Sequence, residues 1–304
     1  MHDIIGDIHG YYEPLLGLLD KLGYQKEKDS YKHPEGRKII FVGDYIDRGA
    51  DILQTVRLVR SMEEAGDAIA LMGNHEFNAL AYHTPDGKGD FCRPHIAKNR
   101  KQHEQTLGEI ALTGDEWKDH LHWMLTLPLF YEEEGFRVVH ACWDEATINK
   151  LKNHLEGNQF TSFDQIVEAS NKKNLLYHLV EDTLKGKEME LPNGLTFHDK
   201  DGHERDEIRV KWWENPNMVD LKGYSVVLLP DLPQVPTQST FDFYKGTEKP
   251  VFFGHYWMTG EPLLQKPNVC CLDYSIAKGG DLVAYRWNGE QALDPKNFQI
   301  IGYE

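Results

Sequence analysis

An α/β fold, with a mostly parallel sheet carrying helices on its faces, is what this sequence predicts. Three observations predict it. Short apolar runs alternate with amphipathic helical stretches, and strand-helix-strand alternation argues for parallel strands covered by helices. The runs stop at glycine or histidine and open onto polar groups, as strands ending in site loops do. The 304 residues are 40% hydrophobic and 27% charged, an ordinary globular composition with enough length for a substantial core.

The first apolar run, Ile4-Ile5, leads into Gly6-Asp7-Ile8-His9-Gly10. In an extended segment Asp7 and His9 project to the same side while Ile8 turns inward. From Tyr12 to Leu22 the residues Leu15, Leu16, Leu19 and Leu22 share one helical face. A polar connection with a Pro34-Glu35-Gly36 turn precedes the second strand, Ile39 to Val42, which delivers Gly43-Asp44-Tyr45-Ile46-Asp47-Arg48-Gly49. A helix is predicted from Asp51 to about Ala65, with Ile52, Val56, Val59 and Met62 inward. The third strand, Ala68 to Met72, ends in Gly73-Asn74-His75-Glu76.

Residues 77 to 120 are less regular. Thr84 to Arg93 reads as a mobile loop, and His83, His95 and His103 read as surface histidines. Leu121 to Leu127 reads as a helix end, and Pro128 marks the exit into Leu129-Phe130-Tyr131. Phe136 to Val139 is a strand ending at His140. Residues 146 to about 210 lack strand signals and carry one helical stretch, Phe163 to Leu184. They read as a helical lid inserted into a single domain spanning 1–304. Trp212-Trp213 suits packing, and Asn215 before Pro216 is placed to orient a site histidine. Tyr224 to Leu229 reads as a strand, followed by a proline-rich loop. Val251-Phe252-Phe253 ends in Gly254-His255-Tyr256-Trp257. Val269 to Tyr274 and Leu282 to Trp287 read as two antiparallel strands joined through Gly279-Gly280.

The net charge of −16 argues against gripping a polyanion through the general surface, so nucleic acid is disfavoured. A phosphate substrate then needs local positive charge from metal ions or a few arginines. The four cysteines, Cys92, Cys142, Cys270 and Cys271, form no CxxC pair and read as reduced thiols. No apolar run reaches membrane-spanning length, and Met1 to Ile5 enters a strand at once, which leaves no room for a signal peptide. A cytoplasmic protein without a membrane partner is expected.

Five strands thus end in Asp7/His9, Asp44/Asp47/Arg48, Asn74/His75, His140 and His255. In open α/β sheets the functional crevice lies beyond the carboxyl ends of the strands. Carboxylate, amide and imidazole donors converging there suit first-row divalent metals, with Asp44 able to bridge two of them. Two metals about 3.5–4 Å apart would activate a water and hold a phosphoryl oxygen. Arg48 carries a guanidinium fork that matches phosphate oxygens.

The blocks Gly6-Asp7-Ile8-His9-Gly10, Gly43-Asp44-Tyr45-Ile46-Asp47-Arg48-Gly49 and Gly73-Asn74-His75-Glu76 resemble the three signature blocks of the calcineurin-like metallophosphoesterases. More narrowly they look like the serine/threonine phosphoprotein phosphatase branch. The early stretch and the Asp273…Gly279-Gly280 ending also resemble the bacterial diadenosine tetraphosphatase and phosphatase subgroup. The resemblance implies a four-layer α/β/β/α sandwich. It implies that Asp7, His9 and Asp44 bind one divalent metal and that Asp44, Asn74, His140 and His255 bind a second. Mn2+ is the favoured ion, with Fe, Zn or Ni compatible. His75 would be the general acid, oriented by Asp47, with Arg48 and Asn74 holding phosphate while a metal-activated hydroxide attacks phosphorus.

The substrates so implied are phosphoproteins or other phosphomonoesters, with bis(5'-nucleosyl)-tetraphosphatase action on dinucleoside polyphosphates as the alternative. A non-catalytic phosphate-binding protein is the alternative of another class, and the His75–Asp47 pair speaks against it. Three departures from the family pattern stand out. Trp257 occupies the position where many relatives carry a second histidine, and Ala141-Cys142 replaces a glycine pair. No arginine lies between Pro216 and His255, so either Arg93 or Arg209 substitutes from a loop or the substrate is held less firmly.

Overall fold

The computed structural model describes residues 1–111, 113–198, 204–227, 232–237 and 239–302. Two sheets stack at its centre. In the first, the strands run in the order Asp273–Tyr274, Asp281–Trp287, His2–Ile5, Lys38–Phe41 and Ala68–Ala70, with Phe298–Gly302 also paired to Asp281–Trp287. His2–Ile5, Lys38–Phe41 and Ala68–Ala70 are parallel, Ile4 facing Ile40 and Ile40 facing Ile69. Asp281–Trp287 joins His2–Ile5 antiparallel. The second sheet orders Val269–Cys271, Val251–Phe253, Arg137–Val139 and Phe130–Glu132, parallel except for the last pair.

Strand alternation explains the four layers. Ile4, Ile40 and Val42 of the first sheet pack against Phe136, Val138, Phe252 and Cys270 of the second, forming the core between the sheets. Their neighbours Ile5, Ile39 and Phe41 point the other way, into a core shared with Leu15, Leu18 and Leu19 of the helix Tyr12–Leu22 and Val56 and Val59 of the helix Ile52–Glu64. Both faces of these strands are buried, which is why they read as unbroken apolar runs. Each fully buried side chain of this size stabilises the fold by about 1.5–3 kcal/mol. On the first helix Leu15, Leu19 and Leu22 are buried as expected, while Leu18 is buried where Leu16 is only partly so.

Several expectations are corrected. Residues 77 to 120 contain real helices, with Asn74–His83, Ala97–Gln102, Glu104–Ile110 and Asp115–Leu125 following one another. The stretch Phe163 to Leu184 is two helices, Phe163–Ala169 and Leu175–Lys185, parted by a turn in which Asn174 N–H donates to Asn171 O. The same insertion carries a further helix, Glu145–Leu155, and two ribbons: Glu188–Glu190 with Glu207–Arg209, and Phe197–His198 with Glu204–Arg205. Strands of two or three residues, rich in charge, have no apolar alternation to announce them.

The strand expected over Tyr224 to Leu229 is absent among its described residues. Tyr224 closes a short helix, Leu221–Tyr224, Ser225 only bridges Val210, and Leu228 and Leu229 lie outside the described residues. The segment 269–274 is no single strand. Val269–Cys271 pairs with Val251–Phe253 in the second sheet, and Asp273–Tyr274 then crosses to pair with Leu282 and Asp281 in the first. Thr84–Arg93 is a loop closed by a bridge between Pro85 and Phe91. Among the described residues no helix is long and apolar enough to cross a membrane.

Candidate metal centre

Among the described residues nine non-glycine residues have positive φ, and six of them, His9, Asp44, Asp47, Arg48, His255 and Trp257, lie in the loops that leave the strand ends. Each such conformation costs about 1–3 kcal/mol, so surrounding contacts must hold these loops in place. Two glycines make the approach possible. A Cβ on Gly43, at φ 113°, would lie 2.6 Å from Gly73 Cα and 2.9 Å from His140 Nδ1. One on Gly254 would lie 1.9 Å from Asp7 Oδ1.

The extended geometry expected for Asp7 and His9 is not what aims them. The strand stops at Ile5, and His9 sits in a turn at φ 52°, its N–H donating to Asp44 O at 2.8 Å. The loop packs against its neighbour rather than continuing the pleat.

Asp44 occupies the middle of the site. Its Oδ1 accepts the backbone N–H of His75 at 2.9 Å and lies 3.4 Å from His140 Nε2. Its Oδ2 lies 3.6 Å from His9 Nε2 and 4.0 Å from His75 Nε2. Two clusters of ligand-capable atoms result, each within 4.8 Å: His9, Asp44 and His75, and Asp44, His140 and His255. Asp44 belongs to both. Asp7 stands beside these clusters, its carboxylate accepting the His255 backbone N–H at 3.2 Å, and His75 is the third member of the cluster that holds His9. Asn74 opens the helix Asn74–His83, and its Oδ1 lies 3.1 Å from His140 Nε2. Arg48 is exposed, and its charge acts on both His9 and His75.

The tautomers suit metal binding. His9 Nδ1 donates to Ile46 O at 3.0 Å and His140 Nδ1 donates to Val42 O at 2.9 Å, which leaves each Nε2 lone pair facing Asp44. A backbone carbonyl behind an imidazole is how ligating histidines are usually held. The charges agree. Asp7, Asp44, Glu76 and Asp273 are all buried here. Burial, then the Asp273 and Asp44 charges, push Asp7 well above the usual carboxylate range. Burial also opposes ionisation of Asp44, but His140 and His75 hold it well below that range. Burial and the neighbouring His75 lower His9 to about 4. So many buried carboxylates crowded among imidazoles call for cations, and mixed oxygen and nitrogen donors suit divalent first-row metals.

Residues unforeseen in the sequence brace this centre. Glu76 accepts the backbone N–H groups of Gly73, Asp44 and Tyr45 at 2.9, 2.8 and 2.8 Å, tying two of the loops together. Burial first, and Asp44 next, push it up to about 7 against those donors. Asp273 accepts the N–H groups of Trp257 and Ser275, both at 2.9 Å. Glu76 had a signal, an acid three residues after the glycine that precedes a helix; Asp273 had none of that kind.

The three histidines expected at the surface are not there. His103 is buried with Nδ1 2.8 Å from Asp47 Oδ1, and Thr106 donates to the same oxygen at 2.6 Å. Asp47 Oδ2 lies 2.5 Å from His75 Nδ1. Burial would raise Asp47, but the hydrogen bonds from His103 and His75 hold its carboxyl below the usual range. Burial would lower His75, and the Asp44 and Asp47 charges raise it overall. His95 is half-buried, stacked on Tyr82 at 3.8 Å and on Phe91 at 4.1 Å. His83 is half-buried too and accepts Trp117 Nε1–H at 3.2 Å.

Of the two arginines considered for the phosphate grip, Arg209 reaches the site. Its Nη1 donates to His255 Nε2 at 2.9 Å, and burial first, then Arg209, holds His255 well below its ordinary value. Arg93 binds Asn78 Oδ1 and Gln102 Oε1. Among the described residues Asn215 orients no histidine; its Oδ1 caps a turn by accepting Asn217 N–H. Trp257 is 46% exposed beside His255, with Arg209 Cζ and Lys278 Nζ 5.7 and 4.5 Å from its ring centroid.

The chain is similar to known proteins. The model of the calcineurin-like phosphoesterase family matches residues 3–255. A symmetrical bis(5'-nucleosyl)-tetraphosphatase from a Marinomonas species is 30% identical over 302 residues, covering 95% of this chain and 94% of that protein. An asymmetrical bis(5'-nucleosyl)-tetraphosphatase from Halalkalibacterium halodurans is 51% identical over 73 residues, which is 24% of this chain and 30% of that one. A solved protein serine/threonine phosphatase from Saccharomyces cerevisiae shares the fold, with a TM-score of 0.52 at 15% identity, over 100% of this chain and 79% of its own.

Proposed function

The chain belongs to the calcineurin-like phosphoesterase family, a family of phosphoric ester hydrolases, and from that premise we propose how its own residues carry out hydrolysis. Asp7, His9 and Asp44 hold one divalent metal, and Asp44, Asn74, His140 and His255 hold the other. The observation that carries this reading is Asp44, a member of both ligand clusters. When bound, such a metal pair acidifies water and neutralises charge on a phosphoryl group. Arg48 at the mouth and Arg209 beside His255 grip the phosphate oxygens with paired N–H donors, and Asn74 adds an amide. His75 protonates the departing oxygen. Its Nδ1 is engaged by Asp47, so Nε2, turned toward Asp44, is the atom that gives the proton.

Mn2+ is the metal we assign, since carboxylate, amide and imidazole donors suit it, and the same donors accept Fe, Zn or Ni. Four free cysteines fit a reducing compartment, so we place the protein in the cytoplasm. Residues 146–210 act as a lid on a single domain, a role supported by Arg209 reaching the centre from the end of that stretch.

A phosphoprotein or small phosphomonoester is the substrate we favour. A dinucleoside polyphosphate is the second reading, favoured by the 30% identity over almost the whole chain and by the half-exposed Trp257 ring, which offers a base a stacking face. Hydrolysis of a phosphoserine peptide and of diadenosine tetraphosphate, with manganese, nickel and chelator compared, separates the two. Preference for the peptide supports the first and preference for the dinucleotide the second. Two bound metals with no turnover on either would leave a phosphate-binding protein.

A further inference from the structure

We propose that His103 is a positioning residue for the proton donor, acting on His75 through Asp47. The role assigned to His75 above is its premise. The Asp47 carboxylate lies between two imidazoles, Oδ2 at 2.5 Å from His75 Nδ1 and Oδ1 at 2.8 Å from His103 Nδ1. Thr106 adds a second donor to Oδ1 at 2.6 Å, and its own oxygen accepts the Asp47 backbone N–H at 3.1 Å. Asp47 sits at φ 66°, a conformation that needs such ties.

His103 is 5% exposed, and its buried Nε2 has no hydrogen-bond partner among the described residues. The rings of Tyr82, His83 and Trp117 surround it at 5.2, 5.7 and 6.4 Å. A residue needed only to fill that cage would be apolar, because a buried unpaired nitrogen is unfavourable. The single nitrogen in use is the one on Asp47. A carboxylate can only accept, so His103 Nδ1 carries the proton of this bond.

The consequence is directional. With Oδ1 held by two donors, Asp47 cannot swing away, and Oδ2 is left to fix the His75 ring through Nδ1. His75 Nε2 then points toward Asp44, 4.0 Å away, where the leaving group departs. As the phosphorus–oxygen bond breaks, its electron pair goes to the leaving oxygen, which takes the Nε2 proton. His103 touches neither substrate nor metal ligand in this scheme.

Two substitutions in the metal-loaded full chain separate this role from packing. His103→Phe keeps a ring in the cage and removes the donor, whereas His103→Asn shrinks the ring and keeps an N–H near the position of Nδ1. We expect His103→Phe to lower kcat on a phosphoserine peptide by about 10–100-fold and on p-nitrophenyl phosphate by less than about threefold, with His103→Asn within about threefold of the parent on both. A packing role predicts the reverse order of damage, and that order, or equal losses on both substrates, overturns the proposal. The His75 Nδ1–H resonance in zinc-loaded protein carrying 15N-labelled histidine, where the metal is diamagnetic, gives a readout independent of turnover. It should move in His103→Phe and return in His103→Asn; an unmoved signal overturns the proposal. A parent chain inactive on every phosphoester would count against the hydrolase reading, while the resonance still decides the role of His103.

Discussion

Glu76→Gln tests the brace beneath Asp44. Glu76 is fully buried, and its Oε2 accepts the N–H groups of Gly73 and Asp44 while Oε1 accepts that of Tyr45. Glutamine has the same shape but a single acceptor oxygen. With that oxygen on the Gly73 and Asp44 side, the new NH2 meets the Tyr45 N–H, donor against donor. A buried donor left unpaired costs about 1–3 kcal/mol. The two surviving bonds lose their ionic partner, which makes them about half as strong and adds about 1 kcal/mol. A loss of about 2–4 kcal/mol is large against the roughly 5–15 kcal/mol that holds a domain folded. Urea unfolding of the metal-loaded protein at pH 8 is the assay, since cations on Asp44 cancel the repulsion that, after burial, pushes Glu76 up to about 7, and so keep it ionised. The midpoint should fall at unchanged slope, and bound manganese per chain should fall with it, because Asp44 loses the contact that holds its φ of 57°. A glutamine variant within about 0.5 kcal/mol of the parent, with full metal, would refute the reasoning.

Asp44→Asn should lose both bound metal and turnover; metal analysis finding full occupancy at a normal rate would rule out the bridging role. His75→Asn should slow poor leaving groups by about 10²–10⁴-fold while sparing p-nitrophenyl phosphate, and equal slowing of both would argue against a proton donor. Arg209→Ala removes a charged hydrogen-bond donor worth about 1.5–3 kcal/mol, so KM should rise about 10–100-fold with the fold intact; an unchanged KM would exclude a phosphate grip. Asp182 supplies a pH test away from the metals. Burial pushes its carboxyl from 3.8 up to about 6, with Lys187 opposing and Asp144 adding. A carboxyl raised on folding binds more protons in the folded state, so its penalty is small below the unfolded value of 3.8, grows as pH rises toward about 6 and levels off above it. The stability gained by Asp182→Asn should therefore widen by about 1 kcal/mol between pH 5 and pH 8, and a constant gain in thermal melts would contradict the shift.

The apolar runs ending in Asp7/His9, Asp44/Asp47/Arg48, Asn74/His75, His140 and His255 were legible in the sequence because each is local. A strand buried on both faces must be apolar throughout, and the loop that follows must leave it through glycine or a strained backbone, so both marks sit within a few residues of the functional side chain. Those marks also carried the family resemblance, and with it the layered fold. What tertiary structure alone decided is which distant group meets which. His103 reaches Asp47 across 56 positions and Arg209 reaches His255 across 46. A buried histidine between two short helices has the same local sequence as an exposed one, and an arginine on a charged ribbon carries no mark of the partner across the site. Likewise, the crossing of residues 269–274 between sheets depends on the spacing of two layers, which no periodicity along the chain encodes. Local patterning determines where a site can form; packing decides which side chains complete it.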